Sequence, residues 1–318
     1  MNTMSIETTS APQESAVLNG VAALTHLGVI KVVGEDAAKF IHGQLTQDFS
    51  LLGLDSARLA AFCSAKGRMQ ASFIGFKRGT DEVFLVCSRD ILASTLKRLS
   101  MFVLRAKARL SDASSEYAVY GLAADATQDM RSPADAVWSK QDMGDSSVIR
   151  LYPAQGVARQ MWVAPAHAPA PAGAPLALGV WLWSEVRSGV ATLTAPVFEA
   201  FVPQMLNYES IGGINFKKGC YPGQEVVARS QFRGTLKRRA YLMHSPSEMH
   251  AGDEVFSASS PEQPVATVVQ AAAAPSGGFD GIVSVQLSAL QASDLRVREA
   301  TGPTLTVLPL PYPLLEDI

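Results

Sequence analysis

Strand-forming runs recur through this chain with single helices set between them, and that order restricts the fold more than any other feature of the sequence. Arg58–Cys63 and Met69–Phe76 are rich in strand formers and are separated only by Ser64-Ala65-Lys66-Gly67-Arg68. Gly67 supplies the positive φ that so tight a connection needs. Val29–Val33 and Val83–Cys87 read as further strands, the second lying beyond a Gly79-Thr80-Asp81 turn. Gly34-Glu35-Asp36 opens a helix whose apolar positions Ala37, Phe40, Ile41 and Leu45 recur at helical spacing. Ile91, Leu92, Thr95, Leu96 and Leu99 mark the face of a second helix, and strands are expected near 103–110 and 117–122. An order of this kind builds α+β layers, not a doubly wound parallel sheet.

Residues 164–175 form a Pro/Ala-rich stretch that reads as a surface loop, and Leu176–Val190 reads as a helix carrying Trp181 and Trp183. From Arg239 the pattern changes to short strands near 240–244, 253–257, 264–271, 281–287 and 304–308, separated by Gly, Pro, Ser and Asp. That spacing predicts a small antiparallel β-barrel. The 318 residues allow two or three domains. The expected division is a disordered tail over 1–20, an α+β domain over 21–115, a second α+β domain over 116–238 and the barrel over 239–318.

Composition narrows the class of protein. A hydrophobic fraction of 47% and a charged fraction of 18% are those of a soluble globular chain. The net charge of −2 excludes a molecule-wide polyanion binder, so any basic site is local. Cys63, Cys87 and Cys220 are few and far apart, with no CxxC pair. That argues for a reducing compartment and against a permanently bound metal. The first 15 residues lack the apolar core of a signal peptide. Pro165, Pro169, Pro171 and Pro175 break the apolar stretch near 163–183, so no membrane helix is expected there and the chain reads as cytoplasmic.

The most informative segment is Asn215-Phe216-Lys217-Lys218-Gly219-Cys220-Tyr221-Pro222-Gly223-Gln224-Glu225, followed by Val226-Val227-Ala228-Arg229. Gly219 and Pro222-Gly223 enforce a turn, and a helical pattern begins at Gln224. Cys220 is thereby placed just ahead of a helix start, with Lys217 and Lys218 close by; both features favour thiolate over thiol. The same features are also met by a small buried cysteine at a turn.

Lys218 to Glu225 closely resembles the K-G-C-[FY]-x-G-Q-E signature of the YgfZ family. Phe201-Val202-Pro203-Gln204, Asn207 and Gly212-Gly213-Ile214 are similar to that family's approach to the signature, and Phe232-Arg233-Gly234 with Lys237-Arg238 continue it. Gly43-Gln44-Leu45-Thr46 with Asp48, Ala65-Lys66-Gly67-Arg68-Met69, and Pro309-Leu310-Pro311-Tyr312 extend the resemblance from about residue 25 to 315.

The resemblance implies the fold of the glycine-cleavage T-protein: a three-domain cloverleaf with ferredoxin-like α/β layers and a C-terminal antiparallel barrel around a folate site. It implies tetrahydrofolate or a derivative as cofactor, and iron–sulfur client enzymes or assembly factors as partners. Cys220 would be the functional thiol, Lys218 would bias its charge, Gly219 and Gly223 would permit the turn, and Tyr221, Gln224, Glu225 and Arg229 would complete the loop. Gln70 and Ala71 stand where the T-protein carries its aspartate pair, so aminomethyl transfer of that type is not expected. Trp181, Arg187 and Lys66 fall at the expected folate pocket. Arg187-Ser188-Gly189 replaces a Glu-Ala-Gly common among related proteins, and arginine has only donors to offer a pterin. A second family tryptophan has no counterpart near Leu27. The rival reading is a tetrahydrofolate-dependent one-carbon transferase or demethylase that recruits a carboxylate from elsewhere.

Between Asn215 and Arg239, Lys217, Lys218, Arg229, Arg233, Lys237, Arg238 and Arg239 face a single acid, Glu225. Polyglutamylated folate, an acidic protein or RNA would suit such a segment, as would a merely solvated face. The five histidines show no metal-ligand spacing.

Overall fold

The computed structural model describes residues 17–129, 136–232, 236–258, 260–290 and 294–315. Most of the tail expected over 1–20, together with Arg233 and Gly234, lies outside the described residues; Leu18, near the end of that span, is fully buried.

The chain enters on β1 (Gly20–Ala23) and continues into β2 (Leu27–Val33), α1 (Ala37–His42), β3 (Ala57–Cys63), β4 (Met69–Gly79), β5 (Glu82–Ser88), α2 (Arg89–Ser100) and β6 (Arg109–Asp112). Strands β2 to β6 make one antiparallel sheet in the order β3-β4-β5-β2-β6. Phe40 and Ile41 of α1 and Ile91, Leu92 and Leu99 of α2 share a core with Ile30, Phe62, Phe73 and Leu85 of the strands. The strand expected near 103–110 starts only at Arg109. Hydrogen-bonded turns continue from α2 through Leu104, and pairing with β2 runs from Val33↔Arg109 to Ile30↔Asp112.

The second sheet has the order β1-β7-β10-β9-β8, with β7 (Tyr117–Ala123), β8 (Lys140–Met143), β9 (Ser146–Arg150) and β10 (Arg159–Pro165). Its first strand comes from the N-terminus, where Gly20↔Ala123 to Ala23↔Tyr120 pair antiparallel. Sheet membership therefore departs from a linear cut between 21–115 and 116–238. Polar Gln141, Asp142, Ser146 and Ser147 interrupt any apolar alternation over β8 and β9, so sequence periodicity does not mark them. The loop expected over 164–175 gives its first two residues to β10, and its far end bonds back to β1 through Val21 N to Ala174 O at 2.8 Å. Helix α3 (Leu178–Arg187) is shorter than the 176–190 expected. The Leu176 amide is committed to Val21, and Gly189 at φ +68 turns the chain out of the helix.

After α4 (Gln224–Phe232) the chain forms β11 (Arg238–Ser245), β12 (Glu254–Phe256), β13 (Ala266–Ala273), β14 (Phe279–Gln286), β15 (Arg296–Val297) and β16 (Thr306–Leu308). Their order is β15-β12-β13-β14-β11-β16, again antiparallel. The ends of this sheet are tied together. Val297 N donates to Pro303 O at 3.0 Å and Leu305 N to Leu295 O at 2.8 Å, while 306–308 pair with β11. The expected barrel is thus a six-stranded sheet curled on itself, with Val255, Val268, Val283 and Val297 in its core.

A larger core joins the sheets around α3, whose Trp181 and Trp183 are fully buried. A methyl on Gly121 of β7 would lie 2.5 Å from the Trp181 ring. Gly121→Ala is expected to lower the unfolding free energy by about 1–3 kcal/mol in urea denaturation. Gly79→Ala, where a methyl meets nothing within 4 Å, should stay within about 0.5 kcal/mol of the parent.

Candidate functional site

The Lys218–Glu225 loop is clamped onto the first sheet by the segment that follows α1. Thr46 Oγ1 donates to Gly213 O at 2.6 Å, Gln47 Nε2 donates to Gly212 O at 2.7 Å, and Asn215 N donates to Thr46 O at 2.9 Å. Gln204 Nε2 reaches Val227 O at 2.7 Å and anchors α4 from beneath. Two glycines make the closest approach. A Cβ on Gly223 (φ +79) would sit 2.8 Å from Gly67 Cα and 2.4 Å from Ser64 O. Gly67 (φ +71) would in turn meet Val226. No side chain fits between the two turns, and the positive φ at both residues disfavours any residue but glycine.

Cys220 is the exposed member of the three cysteines. Cys63 and Cys87 are buried, and burial pushes both thiols up to about 12. Beside the loop stands a pair that sequence spacing did not mark. His42 Nδ1 is 3.0 Å from Asp48 Oδ1, and His42 Nε2 is 3.6 Å from where a Cβ on Gly219 would lie. Burial pushes the Asp48 carboxyl up, but the Leu51 amide and His42 outweigh it and leave the group below its usual value.

Lys218 has a structural post. It is buried, and its ammonium donates to His42 O at 2.6 Å and Leu45 O at 2.8 Å and lies 4.5 Å above the Tyr221 ring. The His42 carbonyl is at the C-terminal end of α1, where a cation is favoured, and the Leu45 carbonyl lies just beyond it. Burial pushes the amine from its ordinary 10.5 down to about 8, against the opposing charges of Asp48 and Cys220. The folded value lies below the unfolded one, so between them the unfolded chain binds more protons and stability rises with pH. This contribution is complete above about 10.5 and is lost as pH falls through 8. Lys218→Met is expected to remove that component, seen as a flatter denaturation midpoint across the same window than in the parent.

A second feature lies between the ends of β2 and β5, helix α3 and the third sheet. It is a cavity of about 690 Å³ whose wall includes His26, Arg89, Leu182, Glu185, Gln270 and Phe279. Glu185 organises it. Its Oε1 accepts from Trp181 Nε1 at 2.8 Å and faces His26 Nε2 at 3.3 Å, while its Oε2 accepts from Gln270 Nε2 at 3.3 Å. Burial pushes the carboxyl up, but His26, Arg159 and the Trp181 bond together hold it below its ordinary value. It is an ionised acceptor at neutral pH.

None of the three residues expected at a folate pocket, Trp181, Arg187 and Lys66, lines this cavity. The Trp181 ring is 0% exposed, with the Arg159 guanidinium 4.5 Å from it and Gly121 against it. Its indole N–H donates to Glu185 and positions that carboxylate. Arg187 crosses to Asp280 Oδ2 at 3.3 Å and does not line the cavity. Glu185, two positions earlier, lines it together with Leu182, because neighbours two apart on a helix point in different directions. Lys66 is exposed on the turn that packs against Gly223. Ala71 belongs to the core of the first sheet, and Gln70 Nε2 donates to Glu199 Oε1 at 2.5 Å; neither lines the cavity.

Gln224 is half-buried, and Glu225 and Arg229 are exposed on the first turns of α4. The basic segment is thinner than its sequence. Lys218 is buried, and Arg239 is buried against Glu209 Oε1 at 2.5 Å. Lys217, Arg229 and Lys237 are exposed, with Arg238 partly so. Among the described residues, no group of three or more His, Cys, Asp or Glu could hold a metal ion, and no helix is long and apolar enough to cross a membrane.

The three-sheet architecture is that of the aminomethyltransferases. An aminomethyltransferase T of the glycine cleavage system from Bartonella henselae superposes with a TM-score of 0.64 at 14% identity, over 98% of this chain and 91% of that one. No family model matches the sequence. The tRNA-modifying protein YgfZ of Yersinia enterocolitica is 30% identical over 310 residues, 93% of each chain, and that of Serratia proteamaculans is 29% identical over 312 residues, also 93% of each. The chain belongs to the YgfZ family.

Proposed function

We propose that this chain is a folate-binding accessory protein that supports assembly or repair of iron–sulfur clusters in client enzymes, with Cys220 as its working thiol. The central cavity carries the reading. Its volume of about 690 Å³ falls within the roughly 300–1,000 Å³ of small-molecule sites. Leu182, Met249 and Phe279 offer apolar walls for a flat ring, and the ionised Glu185 offers an acceptor to ring N–H and amino groups. Exposed Arg89 at the wall suits the carboxylates of a folate tail. Tetrahydrofolate bound there would supply a carrier for one-carbon units. The T-protein fold and the name of the relatives, tRNA-modifying proteins, support a folate-linked role in which the clients include enzymes acting on tRNA. Gln70 and Ala71 leave no aspartate pair of the T-protein kind, which favours an accessory role over aminomethyl transfer.

Anaerobic calorimetric titration with tetrahydrofolate is expected to show saturable binding of one ligand per chain. Glu185→Gln should weaken it by roughly tenfold to a hundredfold, the worth of a hydrogen bond to a charged group, while Arg187→Met leaves it unchanged. Absence of saturable binding by the parent protein overturns the folate reading.

Cys220 lies outside that cavity, so its role is tested separately. Cys220→Ala removes an exposed side chain and should leave the denaturation midpoint in place. In a strain lacking the native protein it should fail to restore iron–sulfur enzyme activities. Full restoration would sink the thiol's role.

A further inference from the structure

The C-terminal end of α2 carries a surface that neither the central cavity nor the Cys220 loop uses. From Ile91 to Ser111 the chain has five cations, Lys97, Arg98, Arg105, Lys107 and Arg109, and no acid, in a molecule whose net charge is −2. Apolar side chains stand open among them. Met101 is 69%, Phe102 43% and Leu104 85% exposed, while Val103 packs on the core of the first sheet. Phe198, 42% exposed, reaches the same place from the loop after α3. Met101, Phe198, Lys97, Arg98 and Ser94 all line one concave pocket of about 240 Å³. We infer that this is a docking surface for an acidic segment of a partner protein, which seats one bulky apolar side chain in the pocket.

Folding accounts for part of this composition and leaves the rest. Lys97 and Arg98 in the last turn of α2 suit the negative end of the helix. Lys107 is paired with Glu35 at 2.5 Å. Arg105 serves neither purpose, and none of Lys97, Arg98 and Arg105 is paired with a carboxylate among the described residues. Glu199, beside Phe198, is committed within the fold, where it accepts from Gln70 Nε2 at 2.5 Å. Single exposed apolar residues are ordinary, but here three fall within four positions and a fourth joins them at the pocket. Methionine and aromatic residues ringed by charge are the composition of a protein interface, with the apolar part binding and the charge steering.

The same features select the occupant. A second copy of this chain in a two-fold contact would set these cations against themselves, which like-charge repulsion opposes. A bilayer surface offers no protruding group to a concave pocket. Single-stranded nucleic acid is held by stacking on aromatic faces, and the two most open side chains, Met101 and Leu104, have none. An acidic polypeptide supplies carboxylates for Lys97 and Arg98 and an apolar anchor from one segment. The pocket is smaller than the roughly 300 Å³ at which small-molecule sites begin, a size that suits a single side chain.

The test is selection of short random peptides from a display library on the full chain, with Lys97→Glu combined with Arg98→Glu as the counter-target. Peptides enriched on the parent alone are expected to carry Asp and Glu around a Leu, Met, Phe or Trp. The synthetic consensus peptide, titrated by fluorescence anisotropy, should bind saturably and weaken as salt is raised. Met101→Ser truncates an exposed side chain, so the melting temperature should stay that of the parent while peptide affinity falls about tenfold. Alanine in place of the peptide's apolar residue should cost a similar factor. Tetrahydrofolate titration should be unchanged in both protein variants, because this pocket and the central cavity share no lining residue; the proposal therefore stands or falls apart from the folate reading. Three results overturn it: a selection that enriches no acidic peptide, full affinity of the consensus peptide for Met101→Ser, or tighter binding of a single-stranded RNA oligonucleotide or of phosphatidylglycerol vesicles than of the peptide, lost in the Lys97 and Arg98 double variant.

Discussion

The three sheets meet on helix α3, and what that ten-residue helix holds determines where they lie. Trp181 fills the space between Gly121 of β7 and Arg159 of β10. Trp183 hands its indole N–H to Asp280 of β14 at 2.8 Å. Glu185 bridges His26, just ahead of β2, and Gln270 of β13. Charges this deeply buried are tolerable only when each is paired and hydrogen-bonded. Arg159 and Glu185 act on each other in one such group, with partly exposed His26 against Glu185, and Arg187 pairs with Asp280 in another, with partly exposed His244 against Asp280. Burial lowers the Arg159 guanidinium to about 10, with Glu185 acting against that shift. Moving α3 would strand a charge in the core, so the helix and the sheets that contact it hold a single arrangement.

The central cavity follows from that arrangement, and the Lys218–Glu225 loop follows from a different constraint. Gly67 and Gly223 cross too closely for a side chain, which locks the loop to the β3–β4 turn. Thr46 and Gln47 stitch the approach to it, and Lys218 caps α1 from within it. Cys220 is left exposed on a rigid base, with His42 and Asp48 beside it. Ligand-sized space and exposed thiol are separate features, each supported by its own contacts.

Strong local signals were legible. The apolar runs of β2, β3 and β5, the face of α2 and the turn before α4 match the structure within a residue or two, while β4 runs on from Phe76 to Gly79 and α1 ends at His42, ahead of Leu45. Strands β8 to β10 were not legible because their neighbours in the sheet, not their own alternation, make them strands. The strand at 109–112 was placed too early because an apolar Phe102-Val103-Leu104 run looks extended while its amides continue the turns of α2. At the cavity, Trp181 and Arg187 were singled out by position in a motif. Helical phase alone does not say that Glu185 faces a gap between sheets.

By itself the sequence determined the α+β class, a run of short antiparallel strands at the C-terminus and membership of the YgfZ family. These rest on local periodicity, turn-forming glycines and an uninterrupted signature, all of which are written along the chain. Only the tertiary structure decided that Glu185 is the carboxylate of the cavity, that Trp181 is a buried support, that Lys218 ends a helix and that β1 belongs to the second sheet. Each of those depends on which atoms meet across long stretches of chain. Burial and pairing, which set the cost of a charge or an unmet hydrogen bond, exist only once the sheets have packed.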